Sequence, residues 1–149
     1  IAAAELLKQD WGVDADIWGC PSFNELARNG NDAARHNLLN PVAKPQRSHV
    51  ENCLGDTRGP VVAATDYVRL YSEQIRPFIN RRYVTLGTDG FGRSDTREQL
   101  RHFFEVDRRW VTVAALKALA DDGAIAHTVV AEAIAKYGID VNKPNPMTV

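Results

Sequence analysis

The sequence predicts an α/β fold with a mainly parallel sheet. Two patterns carry that prediction. Short apolar runs bounded by Gly, Pro and Asp recur at 15–20 (ADIWGC), 60–65 (PVVAAT) and 83–87 (YVTLG). Segments of helical period lie between and after them. Such alternation marks strands joined by crossover helices. Three strands are few for a sheet that usually has about 4–6, so part of the sheet is expected to be missing.

The first helix is expected from residue 1. Ala2, Ala3, Ala4, Glu5, Leu6, Leu7 and Lys8 are good helix formers, and Gly12 is a natural stop. No capping residue precedes Ile1, so the helix is expected to continue from longer chain upstream. Residues 15–20 follow as a buried strand. Ser22 stands three residues before Glu25, the spacing of a capping box, so a helix should run over 22–39 with Gly30 as its weak point. Residues 40–46 are a proline-marked loop. A short helix over 48–55 ends at Gly55.

PVVAAT is the second strand. Val68, Tyr71, Ile75 and Phe78 then share one helical face, and Pro77 ends that helix. YVTLG is the third strand. The last two helices are VTVAALKALADDG, closed by Gly123, and HTVVAEAIAKYG, closed by Gly138. The tail NKPNPMTV carries two prolines and is expected to be irregular.

Composition narrows the function. The chain has 149 residues, which suits one domain over 1–149. Its net charge of −1 offers no field for nucleic acid or an anionic membrane. No window approaches the roughly 20 apolar residues of a membrane span. The opening residues lack the charged leader and cleavage site of a signal peptide. Cys20 and Cys53 belong to no C-x-x-C pair, which suits two buried free thiols in a reducing cytoplasm. His36, His49, His102 and His127 show no metal-ligand spacing.

The stretch GTDGFGRSDTREQLRHFF poses the functional question. Gly87, Gly90 and Gly92 follow a strand and precede a helix, which is the setting of a phosphate-binding loop. Their spacing reverses the dinucleotide fingerprint. Asp89 and Asp95 put negative charge where a phosphate would sit, and Arg93-Ser94 is not the Lys-containing end of a P-loop. A structural turn explains more. The glycines let the chain turn sharply. Asp95 would cap the next helix, with Glu98 completing the box. Arg93 has no local role. It would pair within the turn or reach a neighbouring domain.

Other candidates weigh less. Arg76, Arg81 and Arg82, and Arg108 and Arg109 beside Trp110, resemble a basic patch, but Glu73, Glu105 and Asp107 interleave with them. His102 lies beside two phenylalanines with no nucleophile or orienting partner adjacent in sequence. Asp66 is at the carboxyl end of a strand, where α/β sites form, or it caps the following helix. None completes a catalytic constellation.

WGVDADIWGCPSFNELARNG, GPVVAATDYVRLYSEQIRPF, YVTLGTDGFGRSDTREQLRHFFEVD, VTVAALKALADDG and KYGIDVNKPNP occur in that order. Together they resemble the carboxy-terminal domain of the homodimeric bacterial pyruvate dehydrogenase decarboxylating family. The resemblance implies a transketolase-type C-terminal domain, three-layer α/β/α, with a mixed sheet of five strands. The first strand or strands would be missing here. It further implies a parent enzyme using thiamine diphosphate and magnesium to decarboxylate pyruvate. The acetyl group then passes to a lipoyl group on an acyltransferase core. The family's G-D-G motif with paired asparagines, and its activating glutamate, belong to earlier domains and are absent. The resemblance therefore implies no catalytic, cofactor or metal residue, and no bound cofactor, in this fragment, which would be inactive alone. Its implied partners are the remaining domains of its own chain, the homodimer partner and the acyltransferase. Asp89, Phe91, Arg93 and Asp95 are the candidate interdomain or interface residues. The alternative is an autonomous regulatory domain that holds a nucleotide or phosphate on loop 87–94, between Gly87 and Ser94.

Overall fold

The computed structural model describes all 149 residues. Helix α1 (Ala2–Trp11) opens the chain and stops at Gly12, whose φ of 66° is left-handed. Helix α2 (Phe23–Leu39) is one uninterrupted piece. Ser22 caps it by accepting a hydrogen bond from the Glu25 amide. The Glu25 carboxylate turns to Arg28 instead of closing a capping box. The complete box forms at α3 (His49–Leu54), between Ser48 and Glu51.

Strand β1 (Val61–Ala64) and strand β2 (Tyr83–Leu86) pair in parallel, with Val61 opposite Tyr83 and Ala64 opposite Leu86. Between them lie a single turn of helix, α4 (Leu70–Glu73), and a 3₁₀ turn, Arg76–Phe78. Helices α5 (Arg97–Phe103), α6 (Arg108–Asp121) and α7 (His127–Lys136) complete the order.

Three layers result. On one face of the sheet, Val61, Ala63 and Tyr83 pack with Ala27 of α2, Val50 of α3, Ile75 and Ile79. On the other, α6 crosses both strands and carries a second cluster, Leu116 and Ala120 with Leu7 of α1 and Val130 and Ala133 of α7. The alternation of side chains along a strand makes this double packing possible. The architecture is the α/β class that the sequence pattern predicts, in the three-layer α/β/α form that the resemblance implies. Within this chain the sheet has two strands.

Three local expectations are corrected. Residues 15–20 form no strand, and Ile17 and Trp18 are exposed. A strand exists only where another backbone runs alongside to satisfy its polar groups, and none does here. The helix expected from 66 to 78 breaks up. The buried Ser72 hydroxyl donates to the Arg69 carbonyl, and Pro77 has no amide to extend the ladder. Asp95 does not cap α5. Thr96 does, accepting from the Gln99 amide, while the Asp95 carboxylate accepts from the Thr96 amide. Gln99 thereby takes the position that Glu98 needed for a box.

Candidate functional site

Both strands end at the same side of the molecule, and the segments that leave them meet there. Thr88 donates its amide to the Tyr67 carbonyl at 2.9 Å and its hydroxyl to the Asp66 carbonyl at 2.9 Å. The Asp89 carboxylate accepts from the Arg69 guanidinium at 2.9 Å and from the Arg69 amide at 3.2 Å. Loop 87–95 is thus tied to the segment after β1.

Two of the three glycines of this loop, Gly87 and Gly90, face protein. A side chain on Gly87 would strike the Tyr67 carbonyl and the Arg69 amide. A side chain on Gly90, whose φ is 111°, would strike the Pro146 carbonyl. A phosphate cradle needs free amides on the glycine face, and at Gly87 and Gly90 the chain's own backbone fills that face. Gly92 alone is open.

The carboxy-terminal tail lies against the same loop. Lys143 reaches inward and donates to the Phe103 carbonyl at 2.8 Å and to the Glu105 carboxylate at 3.0 Å. A cavity of about 460 Å³ lies between the end of β2, α6, α7 and this tail, with Leu86, Trp110, Ile134 and Pro146 among its walls. A smaller cavity of about 330 Å³ lies on the far side of Lys143 and is bounded by Arg93, Ser94, Gln99 and His102.

The four candidate residues differ in what they touch. Asp89 is held by Arg69. Phe91 is 75% exposed. The Arg93 guanidinium lies 4.5 Å over the Phe103 ring and pairs with no carboxylate. Asp95 stabilises the start of α5. The loop brings Phe91 and Arg93 to the surface and turns Asp89 inward.

The remaining candidates resolve into structural roles. Asp66 pairs with Arg101 across 3.0 Å and does not cap α4. His102 does have an orienting partner, since its Nδ1 lies 3.2 Å from the Asp107 carboxylate. Arg76 binds Glu73 and the Tyr83 carbonyl. That guanidinium, with the Thr85 hydroxyl, holds the Glu73 carboxyl down at a pKa of about 2. Arg81 donates to the Thr57 hydroxyl, and Arg82 pairs with Asp122. The basic residues near β2 are therefore tied to their own fold. Cys20 and Cys53 are both free thiols, but Cys20 is exposed and Cys53 half-buried, against the buried pair expected. No three His, Cys, Asp or Glu side chains gather where a metal ion would sit. No helix is long and apolar enough to cross a membrane.

The decisive comparison is with families of known domains. The model of the transketolase-like TK C-terminal domain matches residues 1–107. The chain belongs to that family. Among curated proteins, the pyruvate dehydrogenase E1 component of Cupriavidus necator is 70% identical over 149 residues, which is 100% of this chain and 17% of that protein. The component of the same name from Pseudomonas aeruginosa is 61% identical over 97% of this chain and 17% of its own length. That from Escherichia coli K12 is 50% identical over 97% of this chain and 16% of its own length. The chain thus spans about a sixth of the curated relatives it matches.

Sequence reasoning missed Arg69 and Lys143, and it read Glu105 only as an acid interleaved with basic residues. Arg69 lies in a segment read as helix. Lys143 lies in a tail read as irregular. Their only local signal is charge beside apolar residues or prolines, and it does not name a partner.

Proposed function

We propose that this chain is the carboxy-terminal domain, over 1–149, of a longer thiamine-diphosphate-dependent pyruvate dehydrogenase component. The longer protein decarboxylates pyruvate and transfers the acetyl group to a lipoyl group of an acyltransferase. It works in the cytoplasm as a homodimer. The observation that carries this reading is 70% identity over the full chain to a protein of that name.

In this proposal the domain packs and holds its neighbours and performs no chemistry by itself. Thiamine diphosphate with magnesium would supply the carbanion chemistry of the longer protein. In this reading the residues of this chain hold neither, and no three of its His, Cys, Asp or Glu side chains gather where the cation would sit. No step is assigned to them. Asp89, Phe91, Arg93 and Asp95 form the surface toward the remaining domains or the dimer partner. Phe91 is 75% exposed, and the proposal seats its ring against one of those surfaces, where aromatic side chains are enriched.

The test compares the isolated 149-residue chain with the full-length polypeptide. Both are assayed for thiamine-dependent release of carbon dioxide from pyruvate. Activity is expected from the full-length polypeptide alone. Turnover by the isolated chain would remove the packing role, and a silent full-length protein would remove the enzyme assignment.

A further inference from the structure

Arg93, Ser94, Gln99, His102 and Lys143 line one cavity of about 330 Å³, and Asp95 is its single acidic wall residue. Asp95 accepts from the Thr96 amide through one oxygen. Lys143 is paired with Glu105, so Arg93 is the permanent cation of this cavity that no carboxylate pairs. Arg93 makes no hydrogen bond to the protein. Its guanidinium lies 4.5 Å over the Phe103 ring, a cation–π contact that leaves its donors unused. His102 is oriented through Nδ1 by Asp107, which leaves Nε2 without a protein partner. Lys143 spends two of its three donors on Phe103 and Glu105. The hydroxyl of Ser94 and the side-chain carboxamide of Gln99 also lack protein partners.

We propose that this cavity receives an oxyanion, with Arg93 as its bidentate ligand, Ser94 and Lys143 completing the donors, and the free Nε2 of His102 beside it as a reporter of occupancy. A planar guanidinium fork matches two oxygens of a carboxylate or phosphate. The site is built from side chains, and the glycine amides of the preceding loop take no part. Two sources carry this chemistry, a free phosphate-type anion and a side-chain carboxylate from elsewhere in the longer polypeptide. The second source rests on the interdomain reading above and the first does not, so the two fail separately.

The test is made on the full-length polypeptide. Diethyl pyrocarbonate modification of His102 is followed by peptide mass spectrometry, with His127 as the internal reference. Inorganic phosphate is compared with chloride at equal ionic strength, in the wild type and in Arg93→Gln. For a free oxyanion with a millimolar dissociation constant, phosphate at about ten times that value slows His102 modification about tenfold. Arg93→Gln abolishes the protection and Arg93→Lys keeps part of it. For a seated carboxylate, His102 resists the reagent in the wild type and becomes reactive in Arg93→Gln. Modification that neither phosphate nor Arg93→Gln alters overturns the proposal. Protection that persists unchanged in Arg93→Gln overturns it as well.

Discussion

The Pro146 carbonyl stands where a side chain at Gly90 would project. This contact joins the tail to the loop that follows β2, and it explains why a glycine is needed there. The φ of 111° is closed to L side chains without strain, and the space beside it is already taken.

Gly90→Ala should therefore release the tail. Strain and clash together cost about 1–3 kcal/mol. Hydrogen exchange in the full-length polypeptide would show faster exchange in residues 140–148 and little change in α2. Unaltered protection of those amides would mean that the tail is held by other contacts.

Gly30→Ala tests the opposite intuition. In a helix interior the change ordinarily stabilises by about 1 kcal/mol. Here the added methyl would overlap the Phe78 ring. The clash outweighs the propensity, and a net loss of about 1–3 kcal/mol is expected. Phe78→Leu should recover most of it, because the smaller side chain vacates the space. Denaturant midpoints for the two single variants and the double variant decide the matter.

Glu73 predicts an acid-sensitive step. Its carboxyl is lowered from 4.5 to about 2, chiefly by the hydrogen bond from Arg76 and further by the Thr85 hydroxyl, against desolvation. The folded value is depressed, so the stabilisation is fully present above about 4.5 and is lost as pH falls from there toward 2. Partial exposure of the Arg76 pair limits it to about 1–2 kcal/mol. Glu73→Gln should flatten the fall of melting temperature between pH 5 and pH 3, as read by circular dichroism at about 2–8 °C per kcal/mol. Parallel curves for the two proteins would rule this coupling out.

Glu105 holds a non-glycine left-handed conformation, φ 62°, and its carboxylate binds Lys143. The backbone cost of about 1 kcal/mol is tolerated because the carboxylate holds the tail. The Val106 amide closes the α5 terminus on the Arg101 carbonyl, so the turn itself suits glycine. Glu105→Gly should destabilise the wild type by about 1 kcal/mol and stabilise a Lys143→Met background by a similar amount. The reversal of sign is the observation to look for.

Phe91→Asp probes the proposed interface. The side chain is exposed, so the isolated chain should keep its melting temperature within about 0.5 kcal/mol equivalent. Dimerisation or domain packing in the full-length polypeptide should weaken by about tenfold or more. Sedimentation at low protein concentration measures it. An unchanged assembly would place the interface elsewhere.

By itself the sequence determined the alternation that makes this an α/β fold, and many of the element ends. Ser22 and Ser48 cap helices, and Gly12, Gly123 and Gly138 close them in left-handed backbone. Those signals act over three or four residues, so they survive without tertiary context. The strands at Val61–Ala64 and Tyr83–Leu86 were legible for the same reason. Only the tertiary structure decided the rest. The ADIWGC run is apolar enough for a strand, but a strand needs a neighbour, which no local pattern supplies. The sequence already favours a structural turn over a cradle in the glycine-rich stretch, and the contacts that make the turn come from Tyr67 and Pro146, 20 and 56 residues from Gly87 and Gly90 in the chain. The same long-range packing brought Lys143 beside Phe103 and left Arg93 unpaired over the same ring. Contacts made by residues distant in sequence leave no period to read, and the candidate site is built almost wholly from such contacts.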